Sequence, residues 1–506
     1  MQLPQFRALD VKQSPSQLTK TQCDKLDHII AIVPKKPAKA VLRSLPFGEH
    51  LRRSFERGSD KGEGRVASRL ANKRATGVTI ATLDDTSPYA LLTWARQLVA
   101  DCKKEKPVRL GVTTAGLADA PRERALNALV AAADAAAFEL PSFKSDAKPR
   151  PRPKLRVLTV FGAKTRLDLA TTRATALGNN IARWFTAMPP NELTAATYRD
   201  ALQSIAEQYG FKYAFLNESA LGKLGAGAFL AVSQGNAMRD AGIVHLKYRP
   251  GGKAAPDLAL VGKGILFDTG GTNLKNFKGM LDMHTDMQGS AVALGSLVAL
   301  AELKVPYAVD LWLAVTENRI SATAYKSQDV VRACNGTTIQ VIHTDAEGRM
   351  VLADTLAVAS RERPKLIIDY ATLTGSCVAA LTSRYSGVFS NRSDANALLQ
   401  RAGHDSGERV WPFPMDEDFE EALRSETADI KQCTADGYGD HILAARFLMR
   451  FVPKDIPWIH VDLSSGQHKG GLAQVPTEIT GFGVRLTVEL LRQGGSAAAL
   501  AARLES

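Results

Sequence analysis

Short apolar runs rich in β-branched residues alternate with segments of helical periodicity along most of this chain, and this alternation limits the fold more than any other feature. Such runs predict buried strands, whereas apolar residues at helical spacing predict amphipathic helices. The predicted strands are 28–34, 76–82, 108–113, 243–248, 258–262, 309–315, 338–343, 366–370 and 458–462. The predicted helices are 87–105, 121–139, 170–187, 196–209, 289–303, 349–362 and 441–452. This alternation predicts an α/β protein whose sheets are covered by helices.

Prolines interrupt the pattern between residues 141 and 154. Each proline fixes its backbone and removes a hydrogen-bond donor, so the segment cannot form a helix or a central strand. We therefore predict a small N-terminal α/β domain at 1–145, a linker at 146–168 and a larger C-terminal α/β domain at 169–506. The larger domain should contain a mainly central mixed sheet flanked by helices. Ligands of such sheets bind beyond the carboxyl ends of the strands.

The spacing of the cysteines and the length of the apolar runs exclude several classes of protein. The five cysteines are scattered and none forms a Cys-x-x-Cys pair, which argues against a disulfide framework and against a thiolate zinc site. The apolar runs are shorter than the roughly 18 residues that a membrane helix needs, and residues 1–36 lack the apolar core of a signal peptide. We therefore expect a globular, cytoplasmic protein without a membrane partner.

The net charge of +12 is concentrated in residues 34–80, where twelve Lys/Arg face four Asp/Glu. A basic stretch of this kind can bind nucleic acid. It has few aromatic residues for base stacking and no nucleic-acid motif, which favours a solvated basic surface. DNA binding is kept as a second hypothesis.

Polar residues follow the predicted strand 258–262 directly. Lys263 and Asp268 lie in Lys-Gly-Ile-Leu-Phe-Asp-Thr-Gly-Gly, whose glycines permit a tight turn, and Lys275 follows in a loop. Asp268 before Gly-Gly is also ordinary turn chemistry. Asp286 stands before a helix of small residues and can serve simply as its cap. Taken alone, these positions leave a structural and a functional interpretation open.

A second cluster lies between the predicted strand 338–343 and the next helix. It reads His343-Thr-Asp345-Ala-Glu347-Gly-Arg349. Acidic residues are common where a helix begins, but an arginine at that positive end is not explained in this way. Carboxylates packed together repel one another unless a cation holds them, and hard divalent ions are the usual solution.

Together these motifs resemble the signature of the leucyl aminopeptidase (cytosol aminopeptidase) family. The match consists of Lys263-Gly-x-x-x-Asp268-x-Gly-Gly271, Lys275, Asp286-Met287 and Thr344-Asp-Ala-Glu-Gly-Arg349, at the family's intervals. It extends to Pro189-Pro190-Asn191-Glu-Leu-Thr194, Asp369-Tyr-Ala-Thr-Leu-Thr-Gly375, Ala428-Asp-Ile-Lys431 and Thr480-Gly-Phe-Gly-Val-Arg485. The N-terminal domain contributes no motif.

The resemblance implies a hydrolase that binds two divalent metal ions per subunit, Mn²⁺ or Zn²⁺, with Co²⁺ or Mg²⁺ also admissible. It implies that Asp268 and Glu347 bridge both ions. A neutral Lys263 amine would be a ligand because a nearby dication disfavours the ammonium form. The implied ligands are Lys263, Asp268, Asp286, Asp345 and Glu347.

The same resemblance implies the reaction. Peptides with a free N-terminus would lose their first residue, with a leucine-type preference, through an activated water. Lys275 would stabilise the oxyanion, and Arg349 would hold a bicarbonate ion that assists proton transfer. Family members of this type form homohexamers, so a homohexamer is expected.

Departures from the family pattern are His343 in place of Asn, Met350 in place of Leu, and Asn276 in place of Pro. His343 lies beside the implied ligands and is a candidate for the substrate pocket, although a hydrogen-bonded structural histidine is the favoured interpretation. The other pocket candidates are Met287, Thr372 and Leu373, which are also ordinary core residues. Asp282 and His284 are rival ligands whose spacing does not fit the family.

Overall fold

The computed structural model describes residues 2–58, 64–145, 154–162, 167, 169–252, 255–392 and 394–505. The chain folds into two compact units. The smaller consists of Gln5–Ala176 and Gly470–Glu478, and the larger mainly of Leu177–Lys469 and Ile479–Ser506. None of the described helices combines the length and apolar character that crossing a bilayer requires.

The smaller unit contains a six-stranded sheet in the order β1-β6-β5-β2-β4-β3. All neighbouring strands are parallel except β3 and β4. The strands are β1 (Asp10–Ser14), β2 (His28–Pro34), β3 (Arg65–Arg69), β4 (Gly77–Leu83), β5 (Arg109–Thr114) and β6 (Val157–Phe161). The helices are α1 (Lys20–Cys23), α2 (Lys39–Arg43), α3 (Gly48–Gly58), α4 (Pro88–Lys103) and α5 (Asp119–Ala137), and α6 (Ala170–Thr186) carries the chain into the larger unit.

β6 corrects the predicted linker 146–168. Its sequence Val-Leu-Thr-Val-Phe is apolar and β-branched, and it pairs in parallel with β1 on one side and β5 on the other. A segment bonded on both sides belongs to the sheet. The proline-rich residues 146–153 of that linker lie outside the described residues, as do 163–166 and 168.

The basic stretch 34–80 is extensively ion-paired where it is described. Arg52 pairs with Glu49 and Glu56, and Arg65 pairs with Asp101. Arg69 pairs with Glu105. These ion pairs neutralise part of the positive charge that binding to nucleic acid would use. DNA binding itself stays an untested hypothesis.

The larger unit is built on an eight-stranded mixed sheet in the order β15-β14-β17-β13-β9-β10-β8-β7, and β11-β12-β16 form a separate small sheet. The strands are β7 (Lys212–Asn217), β8 (Gly242–Tyr248), β9 (Leu258–Asp268), β10 (Val309–Asn318), β11 (Val330–Arg332), β12 (Thr338–Gln340), β13 (Leu366–Ala371), β14 (Ser386–Ser390), β15 (Val410–Pro412), β16 (Ile430–Lys431) and β17 (Trp458–Asp462). The predicted mixed sheet is confirmed. The predicted strand 338–343 is shorter, and it lies in the small sheet because β12 bonds to β11 and β16 instead of a central strand.

Helices cover both faces of the central sheet. They are α7 (Ala195–Tyr209), α8 (Glu218–Lys223), α9 (Gly227–Ser233), α10 (Phe277–Met280), α11 (Gln288–Glu302), α12 (Glu347–Arg361), α13 (Gly375–Leu381), α14 (Ala395–Ser406), α15 (Asp440–Met449), α16 (Val484–Gly494) and α17 (Ala497–Glu505). A side chain at Gly262 would meet Ser290 of α11, whereas its neighbour Lys263 touches the position of Gly348 in α12. Successive strand residues point to opposite faces, so α11 and α12 lie on opposite sides of β9.

Asp354 of α12 links three parts of this core. Its carboxylate is fully buried and accepts the backbone N–H of Phe229 in α9 at 2.8 Å and that of Cys334 at 2.7 Å. We expect Asp354→Ala to lower the free energy of unfolding by about 3 kcal/mol, because it leaves one buried and one partly buried backbone donor without a partner. Urea unfolding measures this, with Asp455→Ala at an exposed ion pair as the control. A loss below about 1 kcal/mol would contradict the assignment.

Candidate active site

The turn after β9 presents two of the predicted site residues. Lys263 lies within β9 and Asp268 is its last residue. The chain then turns sharply at Gly270 and Gly271, whose φ angles of 86° and 65° favour glycine. A side chain at Gly270 would also approach Asp345 Oδ1 to 2.9 Å. The glycines therefore allow the second motif to lie against the first.

Thr344 joins the two motifs. Its hydroxyl donates to the carbonyl of Gly270 at 2.6 Å and accepts the N–H of Asn273 at 2.8 Å. Its own N–H donates to Asn273 Oδ1, and its carbonyl accepts the hydroxyl of Tyr325 at 2.7 Å. These bonds hold the segment that carries Asp345 and begins α12 at Glu347.

Asp286 lies beside Asp268 and Glu347 but belongs to a third structural element. It lies in a 3-10 helix, Met283–Met287, immediately before α11. Its Oδ1 accepts the Thr372 hydroxyl at 2.8 Å, just beyond the end of β13. Carboxylate oxygens of Asp268, Asp286 and Glu347 lie within 4.8 Å of one another, and all three residues are buried.

Lys263 stands among these carboxylates. Its Nζ lies 2.8 Å from Asp286 Oδ1 and 2.9 Å from Glu347 Oε1. Burial disfavours the charged form of Lys263, but the carboxylates, first of all Asp286 and Glu347, outweigh this effect and raise its pKa. A side chain at Gly348 would come within 2.7 Å of Lys263 Nζ, so glycine makes room for the lysine.

Lys275 contacts the other side of the cluster. Its Nζ lies 2.8 Å from Asp268 Oδ2 and 2.5 Å from Asp345 Oδ1. Burial opposes its charge, yet Asp268 and the neighbouring carboxylates raise the pKa of Lys275. Every predicted metal ligand and Lys275 are thus brought together.

These side chains line one cavity of about 680 Å³ within the larger unit. Its wall includes Arg349 and the predicted pocket residues His343, Thr372 and Leu373. Met287 is completely buried just before α11 and is not among the lining residues, whereas Met283, four residues earlier, is; a pocket role for Met287 stays a prediction. The rival ligands Asp282 and His284 do not line this cavity either.

A family model described as the cytosol aminopeptidase family, catalytic domain, matches residues 180–488, which carry this whole site. This chain belongs to the cytosol aminopeptidase family. The predicted family is therefore confirmed, and the protein is a metal-dependent aminopeptidase, a hydrolase of the metallopeptidase class.

Individual members of the cytosol aminopeptidase family agree with this assignment. A probable cytosol aminopeptidase from Synechococcus sp. (strain CC9605) is 39% identical over 350 residues, covering 68% of this chain and 71% of that relative. One from Syntrophotalea carbinolica is 37% identical over 406 residues, covering 79% and 80%.

Solved structures of related proteins share the fold. The bottromycin maturation enzyme BotP in complex with Mn has a TM-score of 0.79 and 29% identity, over 92% of this chain and 99% of that one. A mutant form of tomato leucine aminopeptidase has a TM-score of 0.81 and 26% identity, over 96% and 97%.

The site fits the divalent ions that the cytosol aminopeptidase family implies. Four carboxylates surround only two ammonium groups, those of Lys263 and Lys275. Asp286 Oδ2 and Glu347 Oε2 are buried without a hydrogen-bond partner among the described residues. Burial raises the pKa of both acids, which marks the cost of their charge in the absence of further cations. Hard oxygen donors of this kind suit divalent cations.

The site does not fit the predicted bicarbonate at Arg349. The guanidinium is 1% exposed, and its Nη2 lies 2.7 Å from the Asp440 carboxylate. Its Nη1 donates to the carbonyl of Gln432 at 3.1 Å. The positive charge that would attract a free anion is therefore already paired with Asp440, whereas the buried Nε has no partner among the described residues.

Sequence reasoning missed several cavity residues, including two acids that pair with other groups of the cavity wall. Asp440 is one. Asp462, the last residue of β17, is the other: it accepts the Leu373 N–H at 3.1 Å and the Thr374 hydroxyl at 2.7 Å. Both are distant in sequence from the motifs, although a position just after a strand end is a usable signal for Asp462.

Proposed function

We propose that this aminopeptidase removes the first residue of peptides with a free N-terminus, using two divalent ions held by the buried acidic cluster. The observation that supports this most directly is the convergence of Asp268, Asp286 and Glu347, with two buried oxygens unpartnered among the described residues. Asp268, Asp286 and Glu347 would hold the ions, and Asp345 would complete the carboxylate set. Lys263 would serve as a ligand in its neutral form, because a nearby dication disfavours the ammonium form.

The metal is proposed to be Mn²⁺ or Zn²⁺, with Co²⁺ or Mg²⁺ admissible for a site of mainly oxygen donors. When bound, two such ions supply Lewis-acid polarisation of the scissile carbonyl and an activated water. The manganese in the related BotP structure supports manganese as the first ion to test.

Lys275 is proposed to stabilise the oxyanion. Its ammonium group lies at the cavity wall, held by Asp268 and Asp345. A fixed positive charge of this kind is most effective where negative charge develops during the reaction.

The cavity is proposed to receive the N-terminal side chain. Leu373 and Met283 supply apolar surface, whereas His343 and Thr372 supply polar groups beside the cluster. A leucine-type preference follows from the apolar part of the wall. The homohexameric assembly and the cytoplasmic location stay predictions.

We expect metal-stripped protein to hydrolyse aminoacyl-p-nitroanilides only after a divalent ion is restored, and only when the α-amine is free. N-acetylated substrates serve as the matched control, and Asp345→Asn should remove the restored activity. Equal cleavage of blocked and free substrates would contradict an aminopeptidase. Comparing Leu, Ala, Met and Lys substrates would test the leucine-type preference.

A further inference from the structure

The cavity wall contains an arginine whose anionic partner is part of the protein. Arg349 and Asp440 both line the cavity, and Arg349 Nη2 donates to Asp440 Oδ2 at 2.7 Å. The other carboxylate oxygen, Asp440 Oδ1, has no hydrogen-bond partner among the described residues. One oxygen thus binds the guanidinium, and the other is available to a further partner.

Arg349 is held firmly in this position. Its Nη1 donates to the carbonyl of Gln432, whose side chain is completely buried. The Gln432 amide donates to the carbonyl of Ala346 and accepts the N–H of His343. The guanidinium is thereby tied to the segment that carries Asp345 and Glu347.

Asp440 is placed by the loop before it. It is the first residue of α15, and Gly437 and Gly439 precede it with φ angles of 69° and 62°. These left-handed positions allow the chain to turn from the cavity wall directly into the helix. A carboxylate in the first turn of a helix is stabilised by the helix dipole. Asp440 therefore lies between the guanidinium of Arg349 and the N-terminal end of α15.

We propose that Asp440 is the internal anion of this active site and takes the place that bicarbonate was predicted to occupy at Arg349. A second anion beside a guanidinium that is already neutralised meets a like charge in a buried setting, which disfavours its binding. This proposal rests on the proposed aminopeptidase function.

Asp440 transfers one proton in each catalytic cycle. Asp440 accepts a proton from the attacking water while the new C–O bond forms, and it then donates that proton to the leaving nitrogen as the C–N bond breaks. The carboxylate is charged again at the end of the cycle. Atoms and charge balance without a diffusible carrier.

The test is kinetic. We expect wild-type protein in carbonate-free buffer to keep its rate within about twofold when bicarbonate is added. Asp440→Gly should lose about 100-fold, within the range of general acid–base contributions. Added bicarbonate or formate should restore its rate with saturation, because the vacated space beside Arg349 can then accept a small anion. Asp440→Asn keeps the side-chain volume and should be inactive without such rescue.

A binding measurement makes the test independent of turnover. ¹³C-labelled bicarbonate should show line broadening with metal-loaded Asp440→Gly and none with wild type. Asp455→Gly is the matched control, because it removes a carboxylate from the exposed ion pair with Arg363. That variant should behave as wild type in both assays.

Three results would overturn the proposal: a wild-type rate that depends on bicarbonate, full activity of Asp440→Gly without an added anion, or bicarbonate binding to wild type. A folded Asp440→Gly that no small anion rescues would also count against it. Absence of any wild-type peptidase activity with restored metal would instead refute the proposed function, while the ¹³C experiment would still report on anion binding.

Discussion

Glu347→Gln is expected to lower kcat/KM by more than about 100-fold, since even the loss of an outer partner of a metal site costs about 10- to 100-fold. Glu347 is 1% exposed at the start of α12, with one oxygen on Lys263 and the other unpartnered among the described residues. Glutamine preserves its shape and removes the charge. Aminoacyl-p-nitroanilide kinetics at saturating Mn²⁺ measure the effect.

Thermal stability distinguishes the loss of a metal ligand from damage to the fold. The metal-free Glu347→Gln protein should melt no lower than wild type, because the change removes a buried charge whose pKa is raised by burial. Added metal should raise the Tm of the variant by less than it raises the Tm of wild type. A ligand that binds the folded state more weakly stabilises that state less. Glu362→Gln, at a partly exposed pair with Lys247, is the matched control. Wild-type activity in Glu347→Gln would exclude it as a ligand.

Lys275→Met is expected to lower kcat by about 10²–10³-fold with little change in KM, the loss typical of a group that acts on the developing oxyanion. Methionine retains the length of the side chain but not its charge. The ammonium group lies against Asp268 and Asp345, so its removal also leaves these acids to the metals alone.

Metal content distinguishes catalysis by Lys275 from a structural role. If Lys275 acts on the substrate, the variant should hold as many ions per chain as wild type. If it only organises Asp268 and Asp345, bound metal should fall together with activity. Lys247→Met removes a lysine from an outer pair with Glu362 and should change neither quantity. A loss confined to KM would contradict the oxyanion role.

The motifs made the cluster of acidic and lysine side chains predictable. Lys263 lies within β9 and Asp268 ends it, and Asp345 and Glu347 lie within three residues of the start of α12, so local sequence already places three of the four at an element end. The strand and helix pattern likewise predicted the mixed sheet. Hydrophobic periodicity predicts strands and helices because each of them depends on a short segment of chain.

Other features depended on pairing that no local pattern encodes. β6 reads as the end of a proline-rich linker until β1 and β5 bond to it on both sides. Met283 and Met287 are one helical turn apart, and only packing of the segment before α11 decided that Met283 faces the cavity. The predicted strand 338–343 was counted with the central sheet, whereas β12 belongs to the small sheet. The sequence of a strand does not determine which strands it pairs with.

The sequence by itself determined the family, the α/β class and the set of acidic and lysine side chains that converge, because contiguous motifs and chain periodicity carry this information. Only the tertiary structure decided which distant groups touch them. Arg349 and Asp440 are 91 residues apart, and their contact depends on the packing of α12, α15 and the loop at Gln432. The physical reason is that a buried cation is neutralised by whichever groups folding brings within contact distance, and these groups can lie far away in the sequence.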